Sequence, residues 1–173
     1  MNRIEIRKIE RKDTENIIKW RNSQHVMNVF IDRNQLTEKI HNDWLTNYVD
    51  KGYVDQFVIH DQDKNVDFGS VFLKNINAEH KKAEIGIFIG EEDYLGKGYG
   101  PIALKLLINH GFNDLNLNKI YARVLEFNKR SYNTFVKLGF SMDACLREDV
   151  IINGKAENVC IFSILKKEWG RDE

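Results

Sequence analysis

The sequence has very little proline and cysteine, and neither sign of charge is in excess. It holds one proline and two cysteines in 173 residues, and 26 basic side chains balance 26 acidic ones. A zero net charge excludes the broad basic field of a general nucleic-acid-binding protein and weighs against membrane binding by charge alone. No run approaches the roughly 20 apolar residues that span a bilayer, and the first residues lack an apolar signal core. We therefore expect a cytoplasmic, single-domain protein over residues 1–173.

Both cysteines, Cys145 and Cys160, lie in segments where apolar residues alternate. They have no CxxC spacing and no neighbouring histidine at the spacing of metal ligands. This pattern favours two buried free thiols in a reducing compartment, and it predicts no metal site.

Hydrophobic periodicity predicts a single α/β domain with a mixed, mostly antiparallel sheet flanked by helices. Asn153-Gly154 is the favoured two-residue turn of a hairpin, so the chain is expected to end in a β-hairpin. Asp13 and Asn128 are expected to cap helices, and Pro101 suits the first turn of another. The predicted strands are 4–8, 56–59, 67–75, 82–89, 119–125, 141–152 and 155–165, and the predicted helices are 13–20, 35–48, the segment after Pro101, and 129–138.

A glycine-rich turn precedes Pro101 and reads Gly96-Lys97-Gly98-Tyr99-Gly100. Glycines let a backbone approach phosphate oxygens closely, and the first amides of the following helix attract anions. Lys97 adds a cation. The turn is neither a Walker motif nor a Rossmann fingerprint, because the residues required at the defining positions are missing.

The combination resembles the GCN5-related N-acetyltransferase family. The window from Leu95 to Gly100 matches that family's Arg/Gln-x-x-Gly-x-Gly/Ala loop at both glycines, though not at its first position. An asparagine before a helix, Asn128, and the ending Leu138-Gly139-Phe140 follow in the family's order. The sequence looks most like the RimJ/RimL branch. Its Trp20-Arg21-Asn22 triplet and its segment 84–90 look closest to amino-sugar acetyltransferases.

The resemblance implies acetyl-CoA as the cosubstrate. It places the pantetheine amides along the backbone of Ile87, Phe88 and Ile89, and the pyrophosphate on the amides of Lys97, Gly98, Tyr99, Gly100 and Ile102. Asn128 would bind the cofactor near the thioester, although capping a helix would explain the same residue.

Proton transfer has several candidates. Glu84, on the strand before the glycine loop, is the leading catalytic base, but a glutamate on a solvated sheet face would give the same pattern. His80 is a rival base because its usual pKa lies near neutrality. Phe135 stands where many family members have the tyrosine that protonates the leaving thiolate, and Ser131 is the substitute donor.

The amine acceptor is expected to contact Trp20, Arg21, Asn22, Phe30 and His80. Trp44 is a further candidate for the acceptor side, but its place on an apolar helical stripe favours the core. The resulting hypothesis is transfer of acetyl to a primary amine of a small molecule. A nucleotide-linked amino sugar ranks first, then a protein N-terminus, then a polyamine. A non-catalytic coenzyme A-binding module is the alternative of a different class, and a homodimer is plausible by resemblance.

Overall fold

The computed structural model describes residues 3–170 of the chain. They form one seven-stranded sheet with helices on both faces, as the sequence predicts. The strands are β1 (Ile4–Lys8), β2 (Asp55–Asp61), β3 (Val66–Asn77), β4 (Lys82–Ile89), β5 (Lys119–Leu125), β6 (Ser141–Ile152) and β7 (Lys155–Leu165). The α-helices are α1 (Thr14–Arg21), α2 (Gln24–Met27), α3 (Glu38–Trp44), α4 (Tyr99–Asn113) and α5 (Lys129–Lys137).

The strand order is β1-β2-β3-β4-β5-β7-β6, and every pair is antiparallel except β4 with β5. That parallel pairing covers only Lys82–Glu84 of β4 against residues 119–121 of β5. Both strands continue beyond it, β4 to Ile89 and β5 to Leu125. The sheet therefore opens between their C-terminal halves.

Each face of β4 packs against a different layer of helices. Ala83 and Ile85 belong to the large core that α4 and α5 cover. Phe88, on the opposite face, packs with Ile17 and Trp20 of α1. The predicted alternation along β4 is confirmed, but neither of its faces is solvated.

The N-terminal helices differ most from the sequence prediction. The predicted helix 35–48 begins only at Glu38, because the Thr37 side chain accepts from the Ile40 amide and caps α3. Its last part, Leu45–Val49, is a π-helical turn. The short helix α2 lies in a region predicted as loop. Asp13 precedes α1 without capping it, since its carboxylate accepts from Arg7 and from the Glu10 amide.

The C-terminal hairpin has the predicted bounds, but its outer strand does not have the predicted burial. β6 is the sheet edge, and residues 141–149 are all exposed. Cys145 is consequently exposed while Cys160 is buried, so the prediction of two buried thiols is wrong for Cys145. Alternation marks a strand but does not tell whether another layer covers it. No helix among residues 3–170 is long and apolar enough to cross a membrane.

Candidate active site

A cleft of about 320 Å³ opens where β4 and β5 separate. We call it the β4–β5 cleft. One wall is the C-terminal half of β4, and the other is the end of β5 with the first turns of α5. Residues from α1, α3 and the loop between α2 and α3 close it from the helical side. Its polar lining consists of Arg21, Asp32, His41, Gln56, Lys74, Glu84, Arg123, Asn128 and Ser131.

Backbone direction along β4 decides which peptide groups face the cleft. The Phe88 carbonyl oxygen lies only 2.4 Å from where a Cβ on Gly69 of β3 would be, so Phe88 hydrogen-bonds towards β3. Neighbouring residues of a strand present their peptide groups to opposite edges, so Ile87 and Ile89 face the cleft. The Ile89 carbonyl already contacts His25 Nε2 at 3.0 Å. Of the three predicted positions, Ile87 therefore offers both its N–H and its carbonyl, and the peptide groups of Phe88 are used within the sheet.

The glycine loop leads into α4 as predicted. Gly98 occupies the N-cap position in the left-handed conformation, with φ 83°, which favours glycine. The first amides of a helix have no partner within it, so those of Gly98, Tyr99 and Gly100 are free to bind an anion. Pro101 sits at a position whose amide would be unpaired in any case. The Ile102 amide is the first that donates a hydrogen bond within α4, to the Gly98 carbonyl. It is therefore not available to a phosphate, unlike the amides before it.

Two cations flank this loop. Lys97 is exposed, as a phosphate-binding lysine must be. Arg130 of α5 comes within 3.8 Å of where a Cβ on Gly96 would be, and the sequence prediction missed it. The Tyr99 side chain, by contrast, packs in the core beside Phe68. Only the backbone of Tyr99 can therefore serve a ligand.

Asn128 and Ser131 form a reciprocal pair at the start of α5. The Asn128 side-chain oxygen accepts from the Ser131 amide at 3.2 Å and caps the helix. Its Nδ2 donates to Ser131 Oγ at 3.0 Å. Because that hydroxyl oxygen accepts from Asn128, its own proton is free to be donated elsewhere. Asn128 thus both caps the helix and orients Ser131, and both residues line the β4–β5 cleft.

Glu84 faces the same cleft from β4 and is only 7% exposed. Its Oε1 pairs with Lys74 Nζ at 3.2 Å, and its Oε2 accepts from Asn75 at 3.1 Å. The alternative of a solvated sheet face is therefore wrong for Glu84. Burial, together with the Glu84 carboxylate, raises the pKa of the neighbouring Tyr121. Each carboxylate oxygen keeps a second lone pair, so Glu84 can still accept a proton or a hydrogen bond.

Phe135 lies at the bottom of the cleft and is 4% exposed. Its ring contacts Phe140 and Phe162, with centroids at 5.0 and 6.4 Å. An aromatic core contact therefore occupies the place where the family resemblance would put a tyrosine hydroxyl. Tyr132 points to Phe162 instead and does not line the cleft.

Two of the predicted acceptor residues line the β4–β5 cleft. Arg21 stacks on Phe30 with 4.0 Å between its guanidinium carbon and the ring centroid. Its Nη2 donates to the Asp32 carbonyl at 3.3 Å, and its Nη1 is buried without a hydrogen-bond partner among residues 3–170. Burial lowers the pKa of Arg21, and Asp32 opposes that shift. Trp44, predicted as core, also lines the cleft and donates to Gln56 at 2.9 Å.

The other three lie outside the cleft. Trp20 is 1% exposed and packs between α1 and the sheet, and its ring N–H donates to Glu91 at 2.7 Å. Asn22 uses both ends of its amide on the backbone of Leu36, at 2.8 Å each. His80 is exposed in the turn between β3 and β4. These positions favour structural roles for Trp20 and Asn22 and give His80 no access to the cleft.

Comparison with known proteins identifies the family to which this fold belongs. Residues 3–141 match the model of the acetyltransferase (GNAT) domain. The chain belongs to the GNAT acetyltransferase family. Among curated GNAT relatives, the spermidine N(1)-acetyltransferase of Escherichia coli is 41% identical over 97 residues, which cover 54% of this chain and 52% of that protein. The chain thus spans about half the length of this relative.

Two further comparisons cover more of the chain. YdaF of Bacillus subtilis, provisionally named a ribosomal N-acetyltransferase, is 30% identical over 132 residues, or 76% of this chain and 70% of that protein. The crystal structure of spermidine N-acetyltransferase from Vibrio cholerae with CoA and spermine aligns with a TM-score of 0.89 and 25% identity, covering 95% and 96% of the two chains. The GNAT fold prediction is confirmed. The comparisons give no support to a specific likeness with amino-sugar acetyltransferases.

The residues of this GNAT domain fit acetyl-CoA. The free amides before α4, with Lys97 and Arg130, suit its phosphates. The cleft-facing peptide of Ile87 suits a pantetheine amide, since a free strand edge binds extended groups through its backbone. The Ser131 hydroxyl is the donor placed beside that edge in the same cleft.

Replacing Gly98 with glutamate should weaken acetyl-CoA binding by about 10- to 100-fold, or roughly 1.4–2.8 kcal/mol. The substitution puts a carboxylate at the phosphate site and strains a backbone whose φ is 83°. Isothermal titration calorimetry with acetyl-CoA measures the change.

Gly52→Glu is the matched control, because Gly52 also has a positive φ, 75°, and a Cβ there would meet nothing within 4 Å. This variant adds the same charge and similar strain away from the loop, and its acetyl-CoA affinity should stay at the wild-type value. Equal affinities of Gly98→Glu and wild type would remove the loop from the binding site.

His41 gives the cleft a neutral imidazole. It is 1% exposed, its Nδ1 contacts Thr14 Oγ1 at 3.1 Å, and burial lowers its pKa to about 4. In the unfolded chain a histidine has a pKa near 6.5 and takes up a proton first, so the free energy of unfolding should fall by roughly 2–3 kcal/mol as the pH drops from 7 to 4.

Urea denaturation at a series of pH values measures this loss for wild type and His41→Gln. The loss attributable to His41 should be missing from the variant, while His80→Gln, which changes an exposed histidine, should keep it. Parallel pH profiles for wild type and His41→Gln would contradict the assignment.

Proposed function

We propose that this protein transfers the acetyl group of acetyl-CoA to a primary amine of a polyamine such as spermidine. The observation that supports this most directly is the β4–β5 cleft, which has a buried carboxylate on one wall and a hydroxyl donor on the other. Acetyl-CoA would supply the acetyl group as an activated thioester. The similarity to spermidine acetyltransferases favours the polyamine over the nucleotide-linked amino sugar that the sequence ranked first.

A base is needed for such an acceptor. An amine with a pKa near 10.4 is only about 0.04% neutral at pH 7, so almost every molecule arrives as an ammonium ion. Glu84 is the buried carboxylate in reach of the cleft, and in this proposal it takes the ammonium proton directly or through water. Asp32 is the other carboxylate of the cleft lining. Its Oδ1 accepts from the Asn34 amide at 3.0 Å, and in this proposal its other oxygen holds a second ammonium group.

Ser131 is the proposed donor to the departing sulfur. Its Oγ accepts from Asn128, which leaves the hydroxyl proton for a developing thiolate. A thiolate needs less help than an alkoxide, since thiols ionise near pH 8.5. One hydrogen bond from Ser131 therefore replaces the phenol that Phe135 lacks.

Ser131→Ala should lower kcat by up to about 100-fold, because one donor to a developing negative charge is lost. The KM for acetyl-CoA should change little. Steady-state kinetics with spermidine measures both, and Ser131→Thr, which keeps a hydroxyl, should recover most of the rate. Ser141→Ala, an exposed serine of β6, is the control. Full activity of Ser131→Ala would move the donor role elsewhere.

A second acceptor class, the N-terminal amine of a peptide, is favoured by one observation. The buried Nη1 of Arg21 has no partner among the described residues, and a peptide carbonyl next to the reacting amine would accept from it. The lining also holds three cationic side chains, Arg21, Lys74 and Arg123, against the carboxylates Asp32 and Glu84. The ammonium groups of a polyamine would have only those two carboxylates of the cleft lining as partners of opposite charge.

Thiol release from acetyl-CoA tests the proposal against a panel of spermidine, N-terminal peptides and nucleotide-linked amino sugars. Fastest turnover with spermidine supports the polyamine acceptor, and fastest turnover with peptides supports the second class. Acetyl-CoA binding without thiol release from any amine would favour the non-catalytic coenzyme A-binding module and overturn the enzyme proposal.

A further inference from the structure

Two thiols and a carboxylate meet where β5 ends and the chain turns into α5. The ligand atoms of Glu126, Cys145 and Cys160 all lie within 4.8 Å of one another. Cys160 is 2% exposed, whereas Cys145 and Glu126 are open to solvent. No step of the proposed acetyl transfer uses these three side chains, which we call the Cys–Cys–Glu cluster.

The sheet register brings the two sulfurs together. Cys145 is directly opposite Cys160 in the antiparallel pairing of β6 with β7. The Asn158 carbonyl accepts from the Glu126 amide at 3.0 Å, so even-numbered residues of β7 direct their peptide groups to β5. Cys160 thus forms a non-hydrogen-bonded pair with Cys145. In such pairs the Cα atoms are about 4.5 Å apart and the side chains are closest.

Glu126 completes the cluster from the turn that directly follows β5. The Asn158 side chain donates to Glu126 Oε2 at 2.8 Å. A hydrogen bond of this kind orients a ligating carboxylate and leaves its other oxygen available. The cluster therefore combines two sulfur ligands and one oriented oxygen ligand, with an open side towards solvent.

We propose that the Cys–Cys–Glu cluster binds a thiophilic divalent metal ion of the Zn²⁺ class. Zn²⁺ takes a tetrahedral set of sulfur, nitrogen and oxygen ligands, and three protein ligands leave the fourth position to water. Each thiol releases its proton to solvent as its sulfur bonds to the metal. A bound ion would link the end of β5 to the hairpin beside the start of α5.

Each thiol must release its proton before its sulfur bonds to the metal, so the metal affinity should fall as the pH is lowered.

Cobalt(II) is the test probe, because thiolate ligation gives it a sulfur-to-metal charge-transfer absorption. The reduced, full chain should bind one equivalent and develop that band, and Zn²⁺ should displace it. Cys145→Ser removes one of the two sulfur ligands, so it should weaken both the band and the Co²⁺ affinity. Glu126→Gln should lower the affinity by at least about 10- to 100-fold, the loss found even when a residue that only supports a metal ligand is removed. Glu148→Gln, an exposed glutamate of β6, is the matched control and should bind like wild type.

Three results would overturn the metal site: no charge-transfer band in the wild type, a wild-type Co²⁺ affinity in Cys145→Ser, or a wild-type Co²⁺ affinity in Glu126→Gln. A loss of both free thiols under a disulfide oxidant such as oxidised glutathione, without any metal binding, would identify the cluster as a thiol pair alone. None of these measurements depends on acetyl transfer, so the result is independent of the proposed function.

Discussion

Glu84→Gln is expected to lower kcat by about 10²–10⁴-fold, the usual contribution of a positioned general base. Glutamine has nearly the same shape, and its single carbonyl oxygen can still accept from one of the two donors, Lys74 or Asn75, which contact Glu84 at 3.2 and 3.1 Å. It cannot accept the proton of an ammonium substrate. Acetyl-CoA affinity should change little, because Glu84 lies on β4, away from the free amides at the start of α4 where we expect the phosphates to bind. Steady-state turnover of spermidine and calorimetry with acetyl-CoA measure the two effects.

Glu79→Gln is the matched control, since Glu79 is an exposed glutamate in the turn before β4. A second comparison separates catalysis from a purely structural ion pair. If Glu84 serves only to hold Lys74, the Lys74→Met variant and the Lys74→Met/Glu84→Gln double variant should turn over equally. Activity of Glu84→Gln at the wild-type level over the whole pH range would exclude Glu84 as the base.

Trp20→Ala should destabilise the fold by about 3–5 kcal/mol, as expected for a large aromatic side chain removed from a core. Trp20 is 1% exposed and packs with Ile17 and Phe88 between α1 and β4. Because Trp20 lies outside the β4–β5 cleft, the folded variant should keep the wild-type KM values for acetyl-CoA and for the proposed acceptor. Chemical denaturation measures the loss, and kinetics below the unfolding range measures the function.

Gly90 provides an internal check on this packing. A Cβ on Gly90 would lie 1.9 Å from Trp20 Cγ, so Gly90→Ala should itself be destabilising by about 1–3 kcal/mol or more. In the Trp20→Ala background the same change should cost much less, because the ring is gone. Additive losses would contradict the contact. A stable Trp20→Ala variant with impaired turnover would return Trp20 to the acceptor site.

Local sequence signals predicted the C-terminal two thirds of the fold well. β4, β5 and both strands of the hairpin begin and end where alternation and the Asn153-Gly154 turn place them. The Asn128 cap was equally readable, since a capping bond joins residues three apart. The N-terminal helices were harder to predict, because α2 has only four residues and its pattern is too short for a period.

Site residues could be predicted where a sequence motif contains them. They could not be predicted where their position depends on contacts with residues distant in the chain. Glu84 and Ser131 reach the cleft as the resemblance implied. Trp20 was misplaced because a tryptophan beside an arginine looks the same in sequence whether its ring faces a ligand or Gly90. His25 and Arg130 gave no local signal at all. Their roles arise from contacts with Ile89 and with the region of Gly96, which only the folded chain brings near.

The short parallel pairing of β4 with β5 also bears on how the chain folds. Strands β2 to β4 form a meander and β6 with β7 a hairpin, so each group can assemble from nearby residues. To pair β4 with β5, the chain must bring together two strands that are separated by a long segment containing α4. Only three residue pairs form as a result. Loop closure must precede the gain from such distant contacts, which makes them late events in folding. We therefore expect the two walls of the cleft to form first as separate groups of strands and to reach their final spacing late in folding.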